Sequence, residues 1–526
     1  MQLIGSREQR LIDEAWQQKT GLPLLILMEA AARAVVRVCQ EVADLRHVDF
    51  KMPVLILCGP GQNGGDAYAC ARLLSAEGFP VRCLELFKDA KLPDEALQNR
   101  KACMRLNIDL SEPDARSFAD LHDGLIIDGI FGSGFSAERG VPDCFRKVSR
   151  WVDGARKQNN QVLAIDIPSG LDGNTGQADP SAIQADRTVT FVRPKPGLVR
   201  VPGRFLAGKV TVDPIGIDPE LVEEVLANEN LPKTCQIDAG TVRPWCPQRP
   251  PDGHKGLFGR LLMIGGSDSM PGAVVLAAKA ALRSGLGLLQ LAVPRSIRDG
   301  VLLACPEALQ LPIGPAGPQN IMQEAVLAAS AVAVGPGIGR PPWLSPLLDL
   351  LIACSKNLVI DADALNEISR DPQHFWERTR QRMRSGCQTP AVLTPHPGEF
   401  SRLAPDLSLN DRQKAAIALA ERSGCMVVLK GADTIVAEPD GHAWINTTGQ
   451  DGLSRGGSGD LLTGLIAGLM AQGLSPIQAA CSGVFFHGLA GDLAAATYGR
   501  RAMLLSDVLE KLGSAWHQAG WEVEDV

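Results

Sequence analysis

Apolar residues recur at helical spacing over residues 7–46, where "PLLILMEAAARAVVRVC" supplies the apolar face, so the chain is predicted to open on helix. The pattern then changes. "PVLILCG" (53–59) is a short continuous apolar run that predicts a buried strand, and "DAYACARLLSAEG" (66–78) predicts a helix closed by glycine. "PVRCLELF" (80–87), "GLIIDGIFG" (124–132) and "QVLAIDIPSG" (161–170) repeat the strand signal. Strands alternating with helices predict a parallel sheet with ligand sites at the strands' carboxyl ends. Over 218–250 the rhythm gives way to proline and polar residues, and a domain boundary is expected in the first half of that stretch. A second series follows: "RLLMIGGS" (260–267), "GLLQLAVP" (287–294), "AVAVGPG" (331–337), "NLVIDAD" (357–363), "PAVLTPHPGEF" (390–400) and "MVVLKGADTIVAE" (426–438) as strands, with helical stretches such as 271–285 between some of them. The expected organisation is therefore two α/β domains, 1–225 and 226–526.

Bulk properties narrow the function. A chain of 526 residues is too long for one core. A formal net charge of −7 disfavours nucleic acid as the main partner, because a phosphate backbone demands a basic face. "MQLIGSREQRLIDEAW" is charged and has no apolar h-region, so no signal peptide is expected. No run of about 18 apolar residues occurs, so no membrane span is expected either. The 13 cysteines are scattered without a CxxC pair, which fits free thiols in a reducing cytoplasm rather than a zinc site or a disulfide framework.

In the first half, "CGPGQNGGDAY" contains GxGxxG at Gly59, Gly61 and Gly64, with Glu85 at the end of the next strand, the form of a dinucleotide fingerprint. Asp66 opposes that reading, since its charge would face a pyrophosphate, and a pyrophosphate turn has no need of Asn63. A plain alternative is a helix capped by Asn63 or Asp66. Two further strand ends are polar: Asp128 before Gly132 and Gly134, and Asp166 followed by Ser169 and Asp172. Oxygen donors converging from three strand ends suit a hard cation or a hydroxyl-rich substrate.

In the second half, "SRGGSGDLLTGLIAGLMAQG" (454–473) crowds Gly456, Gly457 and Gly459 ahead of Asp460 at the start of an apolar helix. Free backbone N–H groups at such a start favour an anion, whereas the acid repels one. The plain reading is a glycine turn with Asp460 as a cap.

The motifs "VLILCGPGQNGGD", "DGIFGSG" and "AIDIPSGLD" resemble the N-terminal epimerase domain of bifunctional NAD(P)HX repair enzymes, over roughly residues 5–220. The resemblance implies a Rossmann-like α/β/α sandwich acting on hydrated NADH and NADPH (NADHX and NADPHX). It implies that Gln62, Asn63, Gly64, Gly65 and Asp66, with Gly132, Ser133 and Gly134, line the substrate site, and that K⁺ is held near Asn63, Asp128 and Ser169. Asp166 would touch the substrate and is the favoured proton carrier, with Asp128 the alternative. "HKGLFGRLLMIGGSDSMPGA" (254–273), "VIDADALN" (359–366), "LTPHPGEF" (393–400), "KGADT" (430–434) and "GGSGDLLTG" (456–464) resemble the ADP- or ATP-dependent NAD(P)HX dehydratases, of ribokinase-like fold, over about 235–515. The implied roles are Asp460 as catalytic base beside a glycine-turn anion hole, and Lys430, Gly431, Ala432, Asp433, Thr434 and Gly459 at the nucleotide. Ala273, Gly337, His396 and Asp460 would contact substrate. By residue type and position alone, Asp361, Asn366 and Glu399 are candidate outer partners of the Mg²⁺ that phosphoryl transfer requires.

The chain departs from the family pattern at Gln62 and Ala67, in "LMEAAARAV", and in "GQDGLSR" (449–455), where Arg455 could border the anion hole, turn to solvent or fill the substrate pocket. The expected function is epimerisation at C6 followed by nucleotide-dependent dehydration of the S epimer, with phosphate released, and AMP where ADP is the donor. Alternatives are a ribokinase-type small-molecule kinase fused to a nucleotide-binding module, and a non-catalytic N-terminal half. A Rossmann dehydrogenase is the weakest. A homo-oligomer is compatible with all of them.

Overall fold

The computed structural model describes residues 1–45, 53–228, 233–315, 317, 320–354, 356–384 and 389–522. The chain divides into two compact units, Gln2–Leu231 and Pro232–Val526, with Met1 belonging to the second.

The first unit is built on seven parallel strands: β1 (Val54–Cys58), β2 (Val81–Glu85), β3 (Asp109–Ser111), β4 (Leu125–Gly129), β5 (Gln161–Ile165), β6 (Arg187–Phe191) and β7 (Lys209–Asp213). Their order is β3-β2-β1-β4-β5-β6-β7, so the chain reverses its direction of travel between β1 and β4. The continuous apolar run of β1 is explained by burial of all five of its residues under helices on both faces. One face packs Ile12, Val35, Ala71 and Leu74. The other packs Phe118, Phe145, Val148 and Val152. This is the expected α/β/α sandwich.

The helix expected over 7–46 is two, Ser6–Thr20 and Leu25–Leu45, because Gly21 takes a left-handed φ of 72° and Pro23 follows; residue 46 lies outside the described residues. The helix expected from 66 begins at Gln62, so the glycine motif is itself the first helical turn. Strands β3, β6 and β7 carry polar residues at alternate positions and were not expected.

The second unit contains one ten-stranded sheet: β8 (Thr234–Ile237), β9 (Arg260–Ile264), β10 (Leu288–Pro294), β11 (Leu309–Ile313), β12 (Ala331–Val334), β13 (Asn357–Ile360), β14 (Val392–Leu393), β15 (Met426–Leu429), β16 (Ile435–Ala437) and β17 (Ala443–Asn446). The order is β11-β10-β9-β12-β13-β14-β15-β16-β17-β8, and β16 runs antiparallel to both neighbours. The reversal of travel falls between β9 and β12. "PAVLTPHPGEF" yields only the short β14 before the helix Pro397–Leu403 begins. "MVVLKGADTIVAE" is two strands, with residues 430–434 as the turn between them.

The helix Ser458–Ala471 runs through the core, with its residues from Leu461 to Ala471 all buried. It passes so close to the helix Pro271–Arg283 that a Cβ on Gly464 would lie 2.0 Å from the Ala277 carbonyl oxygen. The helix Pro476–Tyr498 is long and apolar enough to cross a bilayer, but 67% of its apolar window is buried inside the unit, as in a core helix. The described cysteines are free thiols, most of them buried.

Candidate active sites

In the first unit, the reversal between β1 and β4 opens a crevice at the strands' carboxyl ends, where ligands bind in such sheets. The helix Gln62–Ala76 enters it at close range. A Cβ on Gly64 would lie 2.0 Å from the Gly59 carbonyl oxygen, and one on Gly59 would lie 1.7 Å from that of Ile130, so neither position tolerates a side chain. Asn63 is buried and its amide donates to the Phe131 carbonyl at 3.0 Å. The Ser169 hydroxyl donates to Asp128 Oδ1 at 2.5 Å, and its backbone N–H to Oδ2 at 2.8 Å. The Phe131 N–H donates to Ser169 Oγ at 2.8 Å. Asn63 and Ser169 thus meet at the Phe131 carbonyl, and Ser169 links that point to Asp128. Burial pushes the Asp128 carboxyl up to about 6, against the pull of its bonds from Ser169.

Asp166 follows β5 and accepts from Thr190 Oγ1 at 3.0 Å and from the Ser133 N–H at 3.2 Å, so it reaches the turn at Gly132 and Gly134. The Asp66 carboxyl is pushed well above the carboxylate range by burial, Asp166 and Asp13. Gly65 packs against Met28, and a Cβ on Gly132 would lie 3.1 Å from the Asn63 side chain. Gln62 is exposed and donates to Glu95. Ala67 is fully buried where the helix crosses Gly129, on which a Cβ would lie 2.6 Å from that of Ala67. Asp172 organises its own loop, accepting from the N–H groups of Asn174, Thr175 and Ala137. Glu85, the acid of the dinucleotide fingerprint, is bonded by Tyr68 at 2.7 Å and by Arg100 through both oxygens, which leaves it engaged within the protein. Lys195 escaped the sequence reading: it is 1% exposed and lies 3.0 Å from Asp166 Oδ1. A lysine between two prolines carries no signal of burial.

In the second unit, residues converge at the carboxyl ends of β9, β12, β13, β14 and β15. Gly337 has φ 63°, and a Cβ there would lie 2.9 Å from that of Ala273, so these two positions adjoin. Lys430 Nζ donates to Asp361 Oδ1 at 2.8 Å, and Thr463 Oγ1 donates to Oδ2 at 2.7 Å. Glu399 stands 3.9 Å from the same ammonium. Burial alone would lower Lys430, but Asp361 and Glu399 outweigh it and hold the group charged. Asp460 lies in the first turn of its helix and is half-buried. Burial, Asp361, Glu399 and Asp363 push its carboxyl up to about 7, with Lys430 opposing them. Gly457 takes φ 95°, and a Cβ on Gly459 would lie 3.0 Å from Lys430 Nζ, so ammonium and glycine turn are in contact range.

The 430–434 turn has two sides. Gly431 and Ala432 are exposed. Thr434 donates to the Gly431 carbonyl at 2.9 Å, and buried Asp433 pairs with Arg412 at 3.2 Å. His396 is half exposed and caps the helix Pro397–Leu403, accepting from the Gly398 N–H at 3.0 Å; burial, Lys430 and Arg402 lower its basicity. Asn366 accepts from Arg402 at 3.0 Å and donates to Asp363 at 3.4 Å. Arg455 donates to the carbonyls of Gly452, Arg500 and Arg501, so it ties loops together and does not fill a pocket. His487 was not anticipated: it shares a 3.2 Å hydrogen bond with Ser458 of the glycine turn, and burial with repulsion from Lys430 lowers it to about 4.

Two α/β units, one with an oxygen-lined crevice and one with an acid and a lysine at a glycine turn, define a bifunctional α/β enzyme. The comparisons give its family. A family model described as NAD(P)H-hydrate dehydratase matches residues 261–513, and one described as YjeF-related protein N-terminus matches 24–197. The chain is 36% identical over 547 residues to the bifunctional NAD(P)H-hydrate repair enzyme Nnr of Moorella thermoacetica, covering 100% of this chain and 98% of that protein. It is 34% identical over 497 residues to the enzyme of the same name from Escherichia coli, with 94% and 89% covered. The ADP/ATP-dependent NAD(P)H-hydrate dehydratase of Bacillus subtilis, co-crystallised with ATP and Mg²⁺, is similar at 30% identity and a TM-score of 0.46, over 55% of this chain and 99% of that one. The chain belongs to the bifunctional NAD(P)H-hydrate repair enzymes.

Proposed function

We propose that the first unit interconverts the R and S epimers of hydrated NADH and NADPH at C6, and that the second dehydrates the S epimer with ADP or ATP. The observation that carries the dehydratase reading is Asp460, a half-buried acid pushed up to about 7, beside the Gly456–Gly457–Ser458–Gly459 turn and Lys430. The C6 hydroxyl is a poor leaving group. Asp460 accepts its proton as it attacks the terminal phosphoryl, and an acid titrating near neutrality suits that task. The N–H groups of the turn and the Lys430 ammonium stabilise charge on the phosphoryl in transfer. Loss of phosphate from C6 and of a proton from C5 then restores the conjugated dihydropyridine, with no redox change.

Lys430, Gly431, Ala432, Asp433, Thr434 and Gly459 form the nucleotide side, where Arg412 and Thr434 shape the turn. Ala273, Gly337 and His396 form the substrate side. Among the described residues no three His, Cys, Asp or Glu side chains form a metal cluster, and both oxygens of Asp361 are bonded by protein donors. Asp361 and Glu399 therefore suit an outer shell around Mg²⁺ brought in by the phosphates, whose charge the ion would offset.

In the first unit, carboxylate, hydroxyl and carbonyl oxygens at Asp128, Ser169 and Phe131, with the Asn63 amide, fit a hard cation such as K⁺, which would bind substrate oxygens. Asp166, with Gln62, Asn63, Gly64, Gly65, Asp66, Gly132, Ser133 and Gly134, forms the substrate side. The free thiols favour a reducing, cytoplasmic setting. The test is a mixture of both epimers of hydrated NADH with ADP or ATP and Mg²⁺, followed by absorbance of regenerated NADH. Complete conversion is expected. Conversion of the S fraction alone removes the epimerase assignment, and release of a stable phosphorylated product in place of NADH favours a small-molecule kinase.

A further inference from the structure

A lysine inside a protein is costly unless its ammonium is matched. Lys195 is among the largest fully buried side chains. Its Nζ is ringed by acceptors: the Phe191 carbonyl at 2.8 Å, Asp166 Oδ1 at 3.0 Å, Gln9 Oε1 at 3.3 Å and the Arg193 carbonyl at 3.4 Å. Carbonyl and carboxylate oxygens only accept, so the nitrogen supplies every proton and carries its charge. Asp166 has φ 62°, a left-handed conformation that non-glycine residues avoid and that persists where surroundings over-determine it. Its two oxygens differ. Oδ1 is sealed by Thr190 at 3.0 Å and Lys195 at 3.0 Å. Oδ2 receives one N–H, from Ser133 at 3.2 Å, on the side of the 132–134 turn.

We propose that Lys195 is a positioning residue for epimerisation: it pairs with Asp166 and engages Oδ1, so that Oδ2 is the base presented to the hydrated ring. This rests on the epimerase reading of the same crevice. The step balances without an oxidant. Oδ2 takes the proton of the C6 hydroxyl, the oxygen's electron pair forms a C6 carbonyl, and the C6–N1 bond breaks. Its electron pair leaves on N1, which takes a proton from Asp66. After rotation about C5–C6, N1 attacks the other face, its proton returns to Asp66, and Asp166 returns the first proton to oxygen.

The surrounding charges support this division of roles. Asp13 on the helix Ser6–Thr20 and Asp66 on the helix Gln62–Ala76 face Asp166, and Glu14 faces Asp13. Burial drives both Asp13 and Asp66 upward, Asp13 to about 6. The ammonium touches Asp166 at 3.0 Å, while Asp66, driven upward by burial and by its acidic neighbours, is the carboxyl suited to give a proton.

The test uses the full chain and the R epimer of hydrated NADH. R-to-S conversion is measured across pH for the wild type, Lys195→Met, Lys195→Arg and Asp166→Asn, with dehydration of the S epimer by each preparation as the reference for the second unit. Lys195→Met is expected to lower kcat about a hundredfold with KM within about twofold, because a base is impaired and not a binding contact. Lys195→Arg should recover much of the rate, since a second cation can engage Oδ1. A folded Lys195→Met with wild-type kcat overturns the proposal, whereas wild-type conversion by Asp166→Asn overturns the epimerase reading of the crevice itself. Where Lys195→Met fails to fold, inversion by the wild type in oxygen-18 water decides. Ring opening retains the C6 oxygen, so little label is expected, and one label per inversion overturns the mechanism.

Discussion

Partly exposed Lys430 and buried Asp361 form an ion pair, Nζ to Oδ1 at 2.8 Å, that reaches from the end of β15 to the end of β13. Glu399 and Asp460 also face this ammonium. A single positive group therefore stands among three acids. Lys430→Met leaves them uncompensated, and stripping the partner from a buried acid costs about 3–5 kcal/mol. The expected outcome is a lower midpoint for unfolding of the second unit and loss of dehydratase activity. R-to-S conversion by the same preparation should continue. Denaturant unfolding and the two activity assays check this.

Asp460 gives a pH dependence with a definite sign. Its carboxyl holds a proton up to about 7 in the folded protein, against 3.8 for an ordinary aspartate. As a base it works only when ionised, so kcat/KM for the S epimer should fall about tenfold per pH unit below that value. Stability runs the other way. Between the two values the folded state binds more protons than the unfolded state, so stability declines as pH rises through this window and stays reduced above it. Asp460→Asn removes that loss. It should abolish dehydration yet raise stability by about 1–2 kcal/mol near pH 8, a figure reduced for partial solvent screening, with the gain vanishing below the unfolded value. Thermal melts across pH read this directly.

Gly459 is fixed by Lys430, since a Cβ would lie 3.0 Å from Nζ. The lysine is flexible at its tip and can yield, so Gly459→Ala should cost under about 1 kcal/mol of stability. Moving the ammonium displaces it from the phosphates. The nucleotide KM is expected to rise about tenfold or more, equivalent to about 1.4 kcal/mol of binding. Gly457→Ala behaves differently, because φ 95° strains any side chain and Leu276 would lie 2.6 Å away. That variant should lose stability as well as activity.

The parts of this molecule that were legible in sequence are those where the local pattern and the tertiary environment agree. The β1 run is apolar throughout because both faces are covered, and the glycines at 59 and 64 stand where backbones nearly touch. The parts that were not legible depend on distant partners. β6 reads as polar, "RTVTF", yet Thr188 and Thr190 are fully buried, with Thr190 bonded to Asp166. Lys195 looks like a surface residue until Asp166 and the Phe191 carbonyl surround it. His487 lies in an apolar helix and gains a meaning only from Ser458. Residues 426–438 were merged into one strand because the turn at 430–434 is flanked by apolar residues on both sides, and only the antiparallel pairing of β15 with β16 separates them.

Asp128 links the proposed cation site to pH. Burial raises its carboxyl to about 6, while Ser169, through hydroxyl and backbone, opposes that rise. A cation at this position requires the ionised form, so proton and K⁺ compete for the same oxygens. Adding K⁺ at pH values above that point should raise the unfolding midpoint of the first unit by mass action, by an amount that grows with ion concentration. Below it the effect should fade, because the carboxyl is already neutral. Removing K⁺ by dialysis into a tetramethylammonium salt should slow R-to-S conversion without slowing dehydration of the S epimer. In Asp128→Asn the charge is gone but the shape remains. The K⁺-dependent stabilisation should disappear at every pH, while the ion-free protein loses some stability, because an amide NH₂ replaces one of the two oxygens that accept from Ser169 and Ile130. Calorimetry with and without K⁺ on the two proteins measures both effects. An undiminished K⁺ response in Asp128→Asn would move the cation elsewhere and leave Asp128 a purely structural acid bound to Ser169.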